Sequence, residues 1–228
     1  MIKDILIPFD RKTEIHGTLH INTKSDTLIL LCHGFGDSKE THGIKRLAQL
    51  VEPSVNIFRF TFTDTEPNIK IEAENIHSIV SYFKTKYKYI VVMGISLGGL
   101  SSLLGTISGQ NIDKLILLNP FVYLHRWIAW KYRKTLLLSI LFAPVLKRLR
   151  DTLIFYRTNL RPQDLLVPTL LIVSTHDEIV SPSHGKTLFA HIGSSQKKMI
   201  LDNEIDHGLS KEKYLKKVAA YITSWITK

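Results

Sequence analysis

A single cysteine, Cys32, in 228 residues leaves no partner for an internal disulfide and suits a reducing compartment. Its place inside the apolar run Thr27-Leu28-Ile29-Leu30-Leu31-Cys32 makes it a small core residue rather than a reactive thiol. No run of about 18 apolar residues occurs, so no membrane-spanning helix is expected. The opening Met1-Ile2-Lys3-Asp4-Ile5 has no basic segment followed by an apolar one, so no signal peptide is expected and a cytoplasmic location is. Paired metal-ligand spacings such as HExxH are missing, which makes His33, His176 and His207 a poor metal set; neither metal nor cofactor is expected. Carboxylates are scarce in one place. Residues 121–162 hold nine Lys and Arg but only Asp151 on the acidic side, so this segment carries +8 of the net charge of +10.

What is present is an ordinary globular composition, 44% hydrophobic and 22% charged, and a length that fits one domain over residues 1–228. Two strands, Ile2 to Phe9 and Glu14 to Ile21, flank the polar turn Asp10-Arg11-Lys12-Thr13. Apolar strands then alternate with helical patterns. Strands are expected at 27–32, 56–63, 89–93, 114–118, 169–174 and 198–201. Helices are expected near 43–51, 71–86, after Ser96, and near 182–192 and 211–226. This alternation predicts an α/β fold, a mostly parallel sheet with helices on both faces. Ligands bind such sheets beyond the carboxyl ends of the strands.

The candidate chemistry falls at those ends. Gly94-Ile95-Ser96-Leu97-Gly98-Gly99 follows the strand Tyr89–Met93 and opens a helix, the context of a nucleophile elbow. A serine hydroxyl needs a base, and imidazole is the natural one. Of the ten histidines, His207 is the best placed, in a loop between the final strand and the closing helix, with Gly208 permitting a tight backbone. Asp177, after the strand ending at Ser174, is the acid expected to orient it. Glu178 is the adjacent competitor, and Asp206 is expected to be solvated or to cap the closing helix. The oxyanion donors expected are the backbone N–H groups of Leu97 and Phe35, with His33 and Gly34 shaping the loop. The order Ser96, Asp177, His207 is that of α/β-hydrolases.

On the residues His33-Gly34-Phe35-Gly36, Gly94–Gly99, Asp177 with Val180, and His207, the chain resembles the α/β-hydrolase superfamily. It is nearest the serine-hydrolase group of cinnamoyl/feruloyl esterases, monoacylglycerol lipase-like enzymes and acylaminopeptidase-like proteins. The resemblance implies Ser96 as nucleophile, His207 as base, Asp177 as orienting acid and Phe35 and Leu97 as oxyanion donors. It also implies a cap after the sixth strand, where residues 121–165 form the expected short helical insertion. Many relatives carry Asp-x-Arg-Gly-x-Gly-x-Ser after the strand that is Asn56–Phe62 here. This chain has Thr61-Phe62-Thr63-Asp64-Thr65-Glu66-Pro67 instead, and Ile95 where many relatives have His.

These residues together predict a serine hydrolase that cleaves carboxylic esters, with acyl or aromatic acyl groups, through an acyl-enzyme. A thioesterase or peptidase on the same triad and a non-catalytic binding protein are the alternatives. The basic, apolar cap holds Trp127, Trp130 and Leu136–Phe142. It either packs on the sheet with its cations solvated, or touches an anionic membrane surface or an acidic amphiphilic substrate. Its aliphatic content fits nucleic acid poorly.

Overall fold

The computed structural model describes residues 1–64, 68–122 and 154–227. Eight strands form one sheet: β1 (Ile2–Pro8), β2 (Glu14–His20), β3 (Thr27–Cys32), β4 (Asn56–Phe60), β5 (Tyr89–Ile95), β6 (Lys114–Leu118), β7 (Thr169–Ser174) and β8 (Lys197–Asp202). Their spatial order is β1-β2-β4-β3-β5-β6-β7-β8. β1 and β2 form an antiparallel hairpin, and β2 also runs antiparallel to β4. From β4 to β8 all pairs are parallel. The hairpin turn is fixed locally, since Asp10 Oδ1 accepts from the N–H groups of Lys12 and Thr13.

The helices are α1 (His42–Val51), α2 (Ile69–Phe83), α3 (Leu97–Ser108), α4 (Ser183–His191) and α5 (Glu212–Ile226). The unbroken apolar run of β3 is explained by burial on both faces. Ile29 and Leu31 pack toward α1 and α5, through Ile44, Leu47, Val51, Leu215, Val218 and Ile222. Leu28 and Leu30 join the opposite cluster, which holds Ile76 and Phe83 of α2, Leu103 of α3 and Leu188 of α4. α2 begins at Ile69, two residues before the sequence pattern starts, because Asn68 accepts from Ile71 N–H and caps it.

The expected cap falls mainly on residues 123–153, outside the described residues, as do Trp127, Trp130 and Leu136–Phe142. Beyond them residues 154–159 are helical. There Tyr156 packs against Ile69, Leu97, Leu100 and Leu104 and donates to Val122 O at 2.9 Å. Among the described residues no helix is long and apolar enough to cross a membrane. The carboxyl ends of β3, β5, β6, β7 and β8 lead into His33, Ser96, Asn119, Asp177 and His207, so five loops converge on one edge of the sheet.

Candidate active site

β5 runs two residues further than the apolar pattern suggests, so that Ser96 stands alone between its end and α3. Ser96 has φ 54° and ψ −118°, backbone that a side chain rarely tolerates. Its neighbours hold it there. Ser96 N–H donates to Leu118 O at the end of β6, and Ser96 O accepts from Gly99 N–H and Phe121 N–H, each at 3.0 Å. The flanking glycines are sterically required. A Cβ at Gly94 would lie 2.3 Å from Gly98 O, and one at Gly98 would lie 2.1 Å from His33 O.

The turn presents Ser96 Oγ 3.0 Å from His207 Nε2, and His207 Nδ1 lies 2.6 Å from Asp177 Oδ2. With Nδ1 donating to the carboxylate, Nε2 is left to accept from the serine. The Asp177 side chain is shielded from solvent. Its Oδ1 accepts from the N–H groups of Ile179 and Val180 at 2.8 and 2.7 Å, which fixes the carboxylate plane. Glu178, the competitor, is exposed. Ser96, His207 and Asp177 are therefore brought together as the sequence predicts. Such a chain can move a proton from a hydroxyl to imidazole and hold the imidazolium against a carboxylate.

In the His207 loop the left-handed residue is Leu209, at φ 52°. Of the two places expected for Asp206 the structure shows the solvent-facing one: it is partly exposed and does not cap α5. It accepts from Ser210 N–H and Ser210 Oγ, closing a turn ahead of a helix that starts only at Glu212.

Gly34 and Phe35 lie beside the serine, and a Cβ on Gly34 would sit 3.4 Å from Ser96 Cβ. Two cavities of about 310 Å³ each share Gly34, Phe35 and Asp37. One opens over Ser96 and His207 and is walled by Ile44, Ile95, Ile179 and Leu209. The other lies on the Leu97 and Gly98 side and is walled by Phe62, Asp64 and Glu72. Phe35 and Ile179 are 55% and 73% exposed, an apolar rim at the mouth. His33 shapes the loop, as expected. Its Nδ1 donates to Gly34 O at 2.8 Å and its Nε2 accepts from Phe62 N–H at 3.2 Å, while burial lowers its pKa. With both ring nitrogens engaged, His33 is a spacer. His176 Nδ1 donates to Asn203 O, and no metal-binding group of His, Cys, Asp and Glu occurs among the described residues.

The sequence pattern misses two residues. Asn119, at φ 45°, accepts from Ser174 N–H at 2.7 Å and reaches Asp206 O at 3.4 Å, joining the ends of β6 and β7 to the His207 loop. Glu72, in the first turn of α2, is buried and bonded to Ser101 of α3. The available signals are weak: an Asn-Pro pair after a strand, and a glutamate on the apolar stripe of a helix.

Strand order, the left-handed serine turn and the helices on both faces define an α/β-hydrolase fold. Solved structures with this architecture match over nearly the whole chain. Est1E from Butyrivibrio proteoclasticus is 16% identical, with 99% of each chain covered and a TM-score of 0.76. A Pyrococcus furiosus esterase is 15% identical, covering 100% of this chain and 90% of that one, with a TM-score of 0.77. A Xanthomonas campestris protein described as an α/β serine hydrolase without a lid is 13% identical, covering 99% and 94%, with a TM-score of 0.71. No curated protein matches by sequence. Residues 28–223 match the uncharacterised protein family UPF0227, and the chain belongs to that family.

Proposed function

We propose that this protein is a serine hydrolase of carboxylic esters. The observation that carries the reading is the unbroken contact from Ser96 Oγ through His207 to Asp177, on a backbone turn that would otherwise be strained for no purpose. In this reading His207 takes the Ser96 proton as Ser96 attacks the ester carbonyl. The N–H groups of Leu97 and Phe35 receive the oxyanion, and the alcohol leaves with the proton from His207. Water then attacks the acyl-enzyme by the same steps. The wall of Ile44, Ile95, Ile179 and Leu209 over the serine favours an apolar or aromatic acyl group. Structural neighbours that include esterases, one of them Est1E with ferulic acid bound, support the same substrate class.

A panel of p-nitrophenyl esters of graded chain length tests the reading, with thioester and peptide substrates beside it. Hydrolysis of the esters, abolished in Ser96→Ala, is the expected result. Turnover of thioesters or peptides alone would move the protein to those classes, and no turnover of any kind would point to a binding protein. Contact of the basic segment with anionic membrane belongs to this proposal too. Vesicles rich in phosphatidylserine should bind the protein and lose it when Arg126, Lys131, Arg133 and Lys134 are neutralised. Unchanged binding removes the membrane contact.

A further inference from the structure

The cavity on the Leu97 side holds a group that the ester-cleaving steps do not use. Glu72 is 7% exposed and lines that cavity together with Gly34, Phe35, Leu97 and Gly98. Its Oε2 is hydrogen-bonded to Ser101 Oγ. Ser101 stands four residues, about 6 Å, beyond Leu97 along α3. Ser101 Oγ also lies 3.4 Å from Leu97 O. The Ser101 hydroxyl proton thus has two acceptors, and the charge of Glu72 decides between them. A carboxylate draws the proton to itself. A neutral acid donates its own proton to Ser101 Oγ and frees the serine proton for Leu97 O.

Asp37 and Asp64 also line the cavity, and its described lining includes no lysine or arginine. The other titratable groups near Glu72 are few. His33 lines the same cavity, its ring nitrogens occupied by Gly34 O and Phe62 N–H. Cys32, at the end of β3, is a thiol that burial pushes up to about 12. Tyr156 packs on Leu97 from residues 154–159. Asn68, the residue that caps α2, stands one turn before Glu72, and its backbone N–H favours the charged carboxyl.

We infer that Glu72 is a positioning residue for the proposed hydrolysis. As a neutral carboxyl it ties α2 to the first turns of α3 on the oxyanion side; as a carboxylate it opposes the charge that builds on the carbonyl oxygen. The inference rests on the serine-hydrolase reading. Burial, reinforced by the charge of Asp64, pushes the Glu72 carboxyl up to about 7 against the hydrogen bonds from Ser101 and Asn68. The reaction is therefore switched down on the alkaline side by a residue outside the Ser96–His207–Asp177 chain.

The test is a pH–rate profile of kcat/KM on one short-chain ester for wild type, Glu72→Gln and Ser101→Ala. Each enzyme is compared with itself across pH. Wild type should rise as His207 loses its proton and then fall about five- to tenfold above pH ~7. Glu72→Gln should rise and stay level. Ser101→Ala removes a donor that favours the carboxylate, so its fall should move to higher pH. That shift carries the test alone if Glu72→Gln does not fold. An alkaline limb that is the same in all three enzymes, or missing from wild type, overturns the inference and leaves the hydrolase reading intact. Wild type that cleaves no ester at any pH overturns both.

Discussion

Ser96 occupies backbone space that an isolated serine avoids, and the residues around it define what can be changed. A methyl group at Gly98 would lie 2.1 Å from a backbone carbonyl that cannot retreat. Gly98→Ala should therefore cost more than about 2 kcal/mol, read from the thermal unfolding midpoint, whatever happens to activity. His207 and Asp177 differ from it in kind. Asp177→Asn keeps the volume and the bonds from Ile179 and Val180 N–H but turns an acceptor-only group into an amide. It should lower kcat/KM by about three to four orders of magnitude, with the unfolding midpoint nearly unmoved. A loss under tenfold would mean that Asp177 does not orient the base.

At the scale of elements, the site depends on loops from five strands being tied to one another. Asn119 provides two such ties, to Ser174 N–H across 55 residues and to Asp206 O across 87. Asn119→Ala leaves a buried N–H unpaired and should cost about 1–3 kcal/mol in urea unfolding. It should also lower kcat with little change in KM, since the His207 loop loses an anchor. The same bonds mark the limit of what could be read from the chain. Apolar runs such as Leu28–Leu31 and Leu115–Leu118 declare buried parallel strands, and Ser96, Asp177 and His207 fall at strand ends by counting alone. Asn119 and Glu72 act through partners far away in sequence. An asparagine after a strand and a glutamate in a helix have ordinary local meanings, and only the packing of α2 on α3 gives Glu72 a cavity to face.

For the whole molecule, two buried carboxyls make stability depend on pH in opposite directions. Burial pushes the Glu72 carboxyl up to about 7 from its ordinary 4.5, so the fold prefers its neutral form. That preference is fully present below about 4.5 and is lost as pH rises through about 7, an effect on the order of 3 kcal/mol. Glu72→Gln removes the penalty, so its melting midpoint should gain on wild type between pH 5 and 8. A constant gap across that range would show that Glu72 does not titrate in the fold. Asp202 behaves the other way. Burial works against its charge, but hydrogen bonds from Lys217, Glu204 N–H and Tyr221 hold its pKa down at about 2. Its contribution is present above 3.8 and is lost as pH falls toward 2, so Asp202→Asn should destabilise at neutral pH and matter progressively less in acid.

The central claim is that Ser96 is a nucleophile made reactive by His207. Covalent labelling with a fluorophosphonate tests it without any assumption about the natural substrate. Mass spectrometry of the folded wild-type protein should find one adduct, on the peptide that contains Ser96. It should find none in Ser96→Ala and a much slower reaction in His207→Ala. A folded wild-type protein that takes no label, or takes it on another serine at the same rate in all three proteins, would contradict the account.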